Sequence, residues 1–158
     1  MTILLIVESP SKCKKIESYL GKNYKCIASF GHICKLTKIN KDNDYEPIFE
    51  IIPEKKKHIK FLCDLIKKAD EVILATDDDR EGEAIAWHIC RIGNLPLTTK
   101  RIIFHEITQT ALQNAVQTPT TIDMKKVNSQ LGRQVLDLIV GFSISPILWK
   151  QFFHSIGK

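Results

Sequence analysis

Asp77, Asp78 and Asp79 stand in a row, followed at once by Arg80 and Glu81. Carboxylates crowded this closely repel one another, and the cluster is costly unless a cation neutralises it. Hard oxygen donors suit Mg²⁺, which takes a few carboxylates and completes its shell with water and phosphate oxygens. In extended backbone, residues two apart point the same way, so Asp77 and Asp79 share a side and Asp78 points elsewhere. With Glu81 just beyond, the candidate metal ligands are Asp77, Asp79 and Glu81. The competing structural role is capping of a helix by an aspartate and compensation of its dipole by Glu81 and Glu83. That role accounts for Glu83. It does not account for the other three, because a cap needs only one carboxylate.

The elements around the cluster decide where it sits. Val72, Ile73, Leu74 and Ala75 form a short apolar run that reads as a buried strand, and Ile85, His88, Ile89 and Ile92 behind Gly82 follow helical spacing. A strand, a loop and a helix in that order put the carboxylates at the C-terminal end of a parallel strand, where open α/β sheets bind ligands. The chain begins the same way. Ile3–Val7 reads as a strand, Ser9 as a helix cap, Pro10 as a first helical residue, and Cys13, Ile16 and Leu20 as a core stripe ended by Gly21. Glu8 therefore falls at a strand tip on the same edge as Asp77, where it becomes a candidate general acid or base. Lys12, in the first helical turn, is placed to reach a phosphate.

Farther along, Tyr24–Ser29 reads as a strand, residues 35–47 as a polar, irregular insertion, and residues 49–52 as a short strand ending at Pro53. A lysine-rich amphipathic helix follows from Glu54, with Ile59, Leu62, Cys63 and Ile66 on its apolar face. Arg101–Phe104 reads as a further buried strand, and the repeated strand–helix order implies a parallel, doubly wound α/β sheet flanked by helices. Thr108 caps a helix to Gln117, and residues 118–121 form a linker. A longer helix runs over 123–140 and is closed by Gly141, followed by an apolar piece over 146–153. The last fifty residues thus turn all-helical, and Trp149, Phe152 and Phe153 find little partner surface in the chain.

Composition agrees with an ordinary globular chain: 158 residues, 44% hydrophobic, 26% charged, formal net charge +5. No apolar stretch is expected to span a membrane, and the N-terminus lacks the pattern of a signal peptide. Five cysteines without a Cys-x-x-Cys pair argue against a disulfide framework or zinc ribbon and read as intracellular thiols. The modest basic excess around an acidic cluster suits a polyanionic partner.

Val7-Glu-Ser-Pro-Ser-Lys12, Gly31-His-Ile33, Leu74-Ala-Thr-Asp-Asp-Asp-Arg-Glu-Gly-Glu-Ala-Ile-Ala-Trp-His88, Arg101-Ile-Ile-Phe-His-Glu-Ile-Thr108 and Leu136-Asp-Leu-Ile-Val-Gly-Phe-Ser-Ile-Ser-Pro-Ile-Leu-Trp149 together resemble the N-terminal segment of type IA DNA topoisomerases of the bacterial topoisomerase I kind. The resemblance implies a Toprim fold over residues 1–107 and the start of the helical DNA-binding domain over 108–158. It implies Mg²⁺ at Asp77, Asp79 and Glu81, and Glu8 as the acid that handles the proton of the leaving 3′ oxygen. Lys12 would contact the scissile phosphate and Arg133 the DNA backbone, with His32 and Arg80 as further DNA-binding positions. The partners implied are a single-stranded DNA segment and the downstream topoisomerase domains or a complementary subunit, in a cytoplasmic, nucleoid-like compartment without membrane.

Several positions depart from the family pattern. Asp78 stands where proline or alanine is usual, Cys34-Lys35 where Arg-Asp is common, and Gln134 and Leu138 where many members carry arginine. The family's nucleophilic tyrosine lies in a Tyr-x-Arg-Thr-Asp-Ser-like motif, and Tyr19, Tyr24 and Tyr45 have no such context. The expectation is therefore an enzyme segment that is inactive alone. The alternatives are a non-catalytic DNA-binding remnant and a free-standing Toprim nuclease, and the topoisomerase-like Leu136–Trp149 stretch counts against the nuclease.

Overall fold

The computed structural model describes residues 1–40 and 42–156, and side chains through residue 150 apart from Lys41. Strand β1 (Ile3–Val7) is the middle of a three-stranded parallel sheet. It pairs with β2 (Tyr24–Ala28) on one side and β5 (Glu71–Leu74) on the other. Successive side chains of a strand alternate in direction, and here both directions are covered. Leu4 and Ile6 face Ile59, Leu62 and Ile66 of α2 (Lys56–Lys68) and Ile85 and Ile89 of α3 (Arg80–Gly93). Leu5 and Val7 face Ile16 of α1 (Cys13–Leu20) and Leu112 and Ala115 of α4 (Gln109–Gln117). Leu5 and Ile6 are fully buried, each worth roughly 2 kcal/mol of transfer free energy. The expected α/β sandwich, a small parallel sheet between helices, is the architecture observed.

Four local expectations change. Ser9 precedes a 3₁₀ turn (Pro10–Lys12) but makes no side-chain cap, since its hydroxyl lies 2.8 Å from that of Ser11. The polar stretch read as an insertion supplies β3 (Cys34–Asn40) and the turn of a hairpin, paired with β4 (Glu46–Ile51), which takes in most of the short strand expected over 49–52. Its alternation is broken by a register shift between Leu36 and Lys38, a bulge that hides a strand from any search for period two. Residues 101–104 do not form a strand. Arg101 bridges Leu74 on one side and Thr120 on the other, but β5 ends at Leu74 and leaves Ile103 and Phe104 no backbone to pair with. Thr120, read as linker, is thus part of the sheet's margin.

The largest change is at the end of the chain. Helix α5 (Met124–Ile156) runs on through Gly141 and Pro146 as one element. Gly141 has open space around it, so its only cost is helix propensity, about 1 kcal/mol relative to alanine. The first turns pack on protein through Val127, Met124 and Leu131. Beyond them Leu136, Phe142, Ile147, Leu148 and Trp149 are exposed. One 18-residue window of this helix has a mean hydropathy of 1.4, enough by length and composition alone to cross a membrane, although no such stretch was expected; a helix of a soluble protein passes the same test. The side chains of Phe152 and Phe153 lie outside the described residues.

Candidate metal and nucleic-acid site

Strands β1 and β5 end side by side, and the chain that leaves each of them builds the site. After β5, Ala75 and Thr76 stay buried and the next five residues, 77–81, emerge into solvent. Asp79 is the N-cap of α3: its carboxylate accepts the Gly82 amide at 2.6 Å. Gly82 is required by close approach, because a Cβ there would lie 2.2 Å from the Asp77 carbonyl oxygen and 2.9 Å from Glu8 Oε1. Thr76 Oγ1 donates to the Gly82 carbonyl at 2.7 Å and closes the turn from inside.

Beneath the loop lies a buried ion pair that the sequence reading missed. Arg101 Nε donates to Glu83 Oε1 at 2.6 Å, with both side chains almost wholly buried. The two remaining guanidinium arms donate to the carbonyls of Thr76 and Asp77, each at 2.9 Å. Glu83 Oε2 accepts the Asp123 amide at 3.1 Å, just ahead of α5. One guanidinium thus ties the carboxylate loop, α3 and the start of α5 together. Glu83 is not the dipole-compensating surface acid its position suggested. The only sequence signal was its place between Gly82 and the apolar Ala84, Ile85 and Ala86, on the inward side of the helix.

From the tip of β1, Glu8 Oε1 accepts the Asp77 amide at 3.2 Å. Burial pushes the Glu8 carboxyl above its ordinary range. The charges of Asp77 and Asp79 push the same way, while the Asp77 amide and Lys12 pull it down. Lys12 Nζ donates to Asp77 Oδ1 at 2.6 Å. Glu8, Lys12, Asp77 and Asp79 therefore share one edge, as the spacing predicts. Glu81 pairs with His32 Nε2 at 2.6 Å. Asp78 pairs with Lys126 of α5 at 2.8 Å, and this hydrogen bond holds the Asp78 carboxyl below its ordinary range.

Arg80 is exposed in the first turn of α3, and Arg133 is exposed on α5. Neither has a hydrogen bond or ion pair among the described residues. Arg133 makes no hydrogen bond or ion pair with Asp77. It precedes Gln134, which together with His32, Asp137 and Leu138 lines a cavity of about 510 Å³.

The donor set suits Mg²⁺ by type. Glu8, Asp77 and Asp79 present hard oxygens near enough for their charges to act on one another, and Gly82 leaves the space between them clear of a side chain. Among the described residues, however, no three His, Cys, Asp or Glu side chains converge into a ready cage. Asp79 does serve as the helix cap, the role that the spacing argument set aside, and Glu81 faces His32. An ion that keeps several waters and takes one or two carboxylates does not need a closed cage.

Residues 3–107 match the Toprim domain family. The chain is 49% identical, over 97% of its length, to DNA topoisomerase 1 of Thermotoga maritima, and 42% identical, over 94%, to DNA topoisomerase 1 of Mycolicibacterium smegmatis. It spans 25% and 18% of those two proteins. The structure of full-length topoisomerase I from Thermotoga maritima superposes with a TM-score of 0.86 at 50% identity, covering 92% of this chain and 26% of that one.

Proposed function

The chain belongs to the Toprim domain family, and on that premise we propose that it supplies the metal-binding, cleavage-supporting part of a type IA DNA topoisomerase. The domain division that goes with this reading is a Toprim unit over residues 1–107 and the opening of a helical DNA-binding domain over 108–158. The observation that carries the proposal is the meeting of Glu8 and Lys12, from the end of β1, with Asp77, from the end of β5, at hydrogen-bond distances. Those are the residue types that opening a phosphodiester requires.

Glu8, its carboxyl pushed above its ordinary range by burial, is the group placed to deliver a proton to a departing 3′ oxygen. Lys12, once a phosphate competes with Asp77 for its ammonium, donates to a non-bridging oxygen and orients the scissile group. Arg80, His32 and Arg133 lie along the path of a strand crossing from α3 toward α5, where they bind phosphates. Asp77 and Asp79, with Glu81, are the residues that would hold Mg²⁺, which would supply positive charge to the phosphate. No residue of the chain fits the nucleophile. Tyr19 and Tyr24 pack against the α1-side core and Tyr45 sits in the hairpin turn. The attacking tyrosine belongs to the remaining length of the enzyme, and the chain alone forms no covalent DNA adduct.

The test uses Mn²⁺ as a paramagnetic stand-in. Titration should broaden the amide resonances of residues 77–81 and of Glu8. The double variant Asp77→Asn, Asp79→Asn should abolish the broadening, and because Asn at 79 still caps α3, the loss would report charge and not unfolding. Undiminished broadening in that variant overturns the metal assignment. A labelled single-stranded oligonucleotide run with the chain on a denaturing gel checks the second half: a covalent band would show that one of its own tyrosines attacks.

A further inference from the structure

His32 sits on a loop whose conformation is unfavourable by itself. Phe30 and Gly31 both have positive φ, +59° and +77°. Glycine tolerates that region, but an aromatic residue does so only when the surroundings hold it. The holding groups come from the start of α2. Lys55 Nζ donates to the Phe30 carbonyl at 2.6 Å and also to the carbonyl of His32. His58 Nε2 donates to the Ala28 carbonyl at 2.7 Å, and its ring meets Phe30 edge-on at 4.7 Å. Lys55 forms no ion pair among the described residues; its charge is directed at the backbone of this loop. Its neighbours Lys56 and Lys57 are exposed.

We propose that Lys55 is the positioning residue for His32, fixing the turn that aims the imidazole at Glu81 and at the phosphate path. This rests on the DNA reading of the same site. Two consecutive left-handed residues turn the carbonyls of Phe30 and His32 to one side, and a single ammonium with three donors is the group that satisfies both at once. Without it, the part-buried His32 carbonyl and the exposed Phe30 carbonyl both lose their donor, and the turn loses its reason to stay left-handed at Phe30. His32 then samples directions away from Glu81, and the site loses one of its phosphate contacts without losing any residue that touches DNA.

The experiment compares Lys55→Met, Lys55→Arg and the neighbouring Lys56→Met in the full chain. The readouts are urea unfolding, the His32 imidazole carbon–proton resonance, and binding of a labelled single-stranded oligonucleotide. Lys55→Met should shift the His32 resonance and the Gly31 amide and weaken binding about tenfold. Lys55→Arg, which keeps a charged multiple donor, should restore both. Lys56→Met removes the same formal charge and should weaken binding about twofold or less, leaving the His32 resonance in place. A His32 resonance unmoved by Lys55→Met overturns the proposal, as does equal weakening by Lys55→Met and Lys56→Met. If the unaltered chain fails to bind the oligonucleotide, the DNA reading falls, while the resonance comparison still decides whether Lys55 sets His32. Should Lys55→Met unfold, rescue of fold, resonance and binding together by Lys55→Arg supports the role, and a folded Lys55→Arg with a displaced His32 resonance overturns it.

Discussion

Arg101 carries more of the site than any exposed residue does. Its guanidinium neutralises Glu83 in the interior and holds the Thr76 and Asp77 carbonyls, so the backbone that carries the Asp77 carboxylate is fixed by a side chain that never meets solvent. Removing one partner of a buried pair leaves a charge without compensation. Arg101→Met should therefore lower the unfolding free energy by about 3–5 kcal/mol, whereas Arg101→Met with Glu83→Met should recover most of the loss. Urea unfolding measures both, and a single variant within about 1 kcal/mol of the unaltered chain would contradict this account. His88 gives the second prediction at this scale. It is buried beside Phe49 and Trp87, and burial drives its pKa down to about 4 from 6.5. Between those values the unfolded chain takes up a proton that the folded chain refuses, so stability falls as pH drops from 6.5 toward 4. The full interval corresponds to on the order of 3 kcal/mol. His88→Phe should flatten that part of the stability–pH curve relative to the unaltered chain, and an unchanged slope would show that His88 is not its source.

At the scale of elements, the two ends of α5 do different work. Its first turns are bound by Glu83 through the Asp123 amide, by Asp78 through Lys126, and by the core through Val127. From Phe142 to Trp149 most of the large apolar side chains are exposed. A chain ending at Ser145 should keep the sheet and lose under about 1 kcal/mol of stability, since little apolar area leaves water in the folded state there. It should also be more soluble, because exposed apolar patches promote association. Cooperative loss of the β1 and β5 amide resonances on truncation would show that the distal turns support the core. The hairpin β3–β4 illustrates why such elements escape a reading by pattern. Its strands are polar on one side, its turn contains Asp44 and Tyr45 at positive φ, and its bulge changes which residues face inward.

For the molecule as a whole, the proposed DNA path uses three cations set on three different elements: Lys12, Arg80 and Arg133. Phosphate contacts release counterions, with about 0.7 per neutralised phosphate in the salt dependence for single strands. The slope of log K against log salt should therefore be close to −2, and each of Lys12→Ala, Arg80→Ala and Arg133→Ala should reduce its magnitude by about 0.7. A slope near zero in oligonucleotide binding would remove the path. Much of this was legible beforehand. Alternating or continuous apolar runs placed β1, β2, β5 and the helices α1 to α4, because burial imposes its period on the local sequence. The strand–loop–helix order placed Glu8, Lys12, Asp77 and Asp79 on one edge, because parallel strands all finish on the same side of a sheet. Tertiary structure alone decided the rest. That Glu81 pairs with His32, and that Glu83 lies beneath the loop and not outside it, depend on partners 49 and 18 residues away. The identity of Arg101 as the anchor likewise follows from which groups meet in space, and a one-dimensional period carries no record of that meeting.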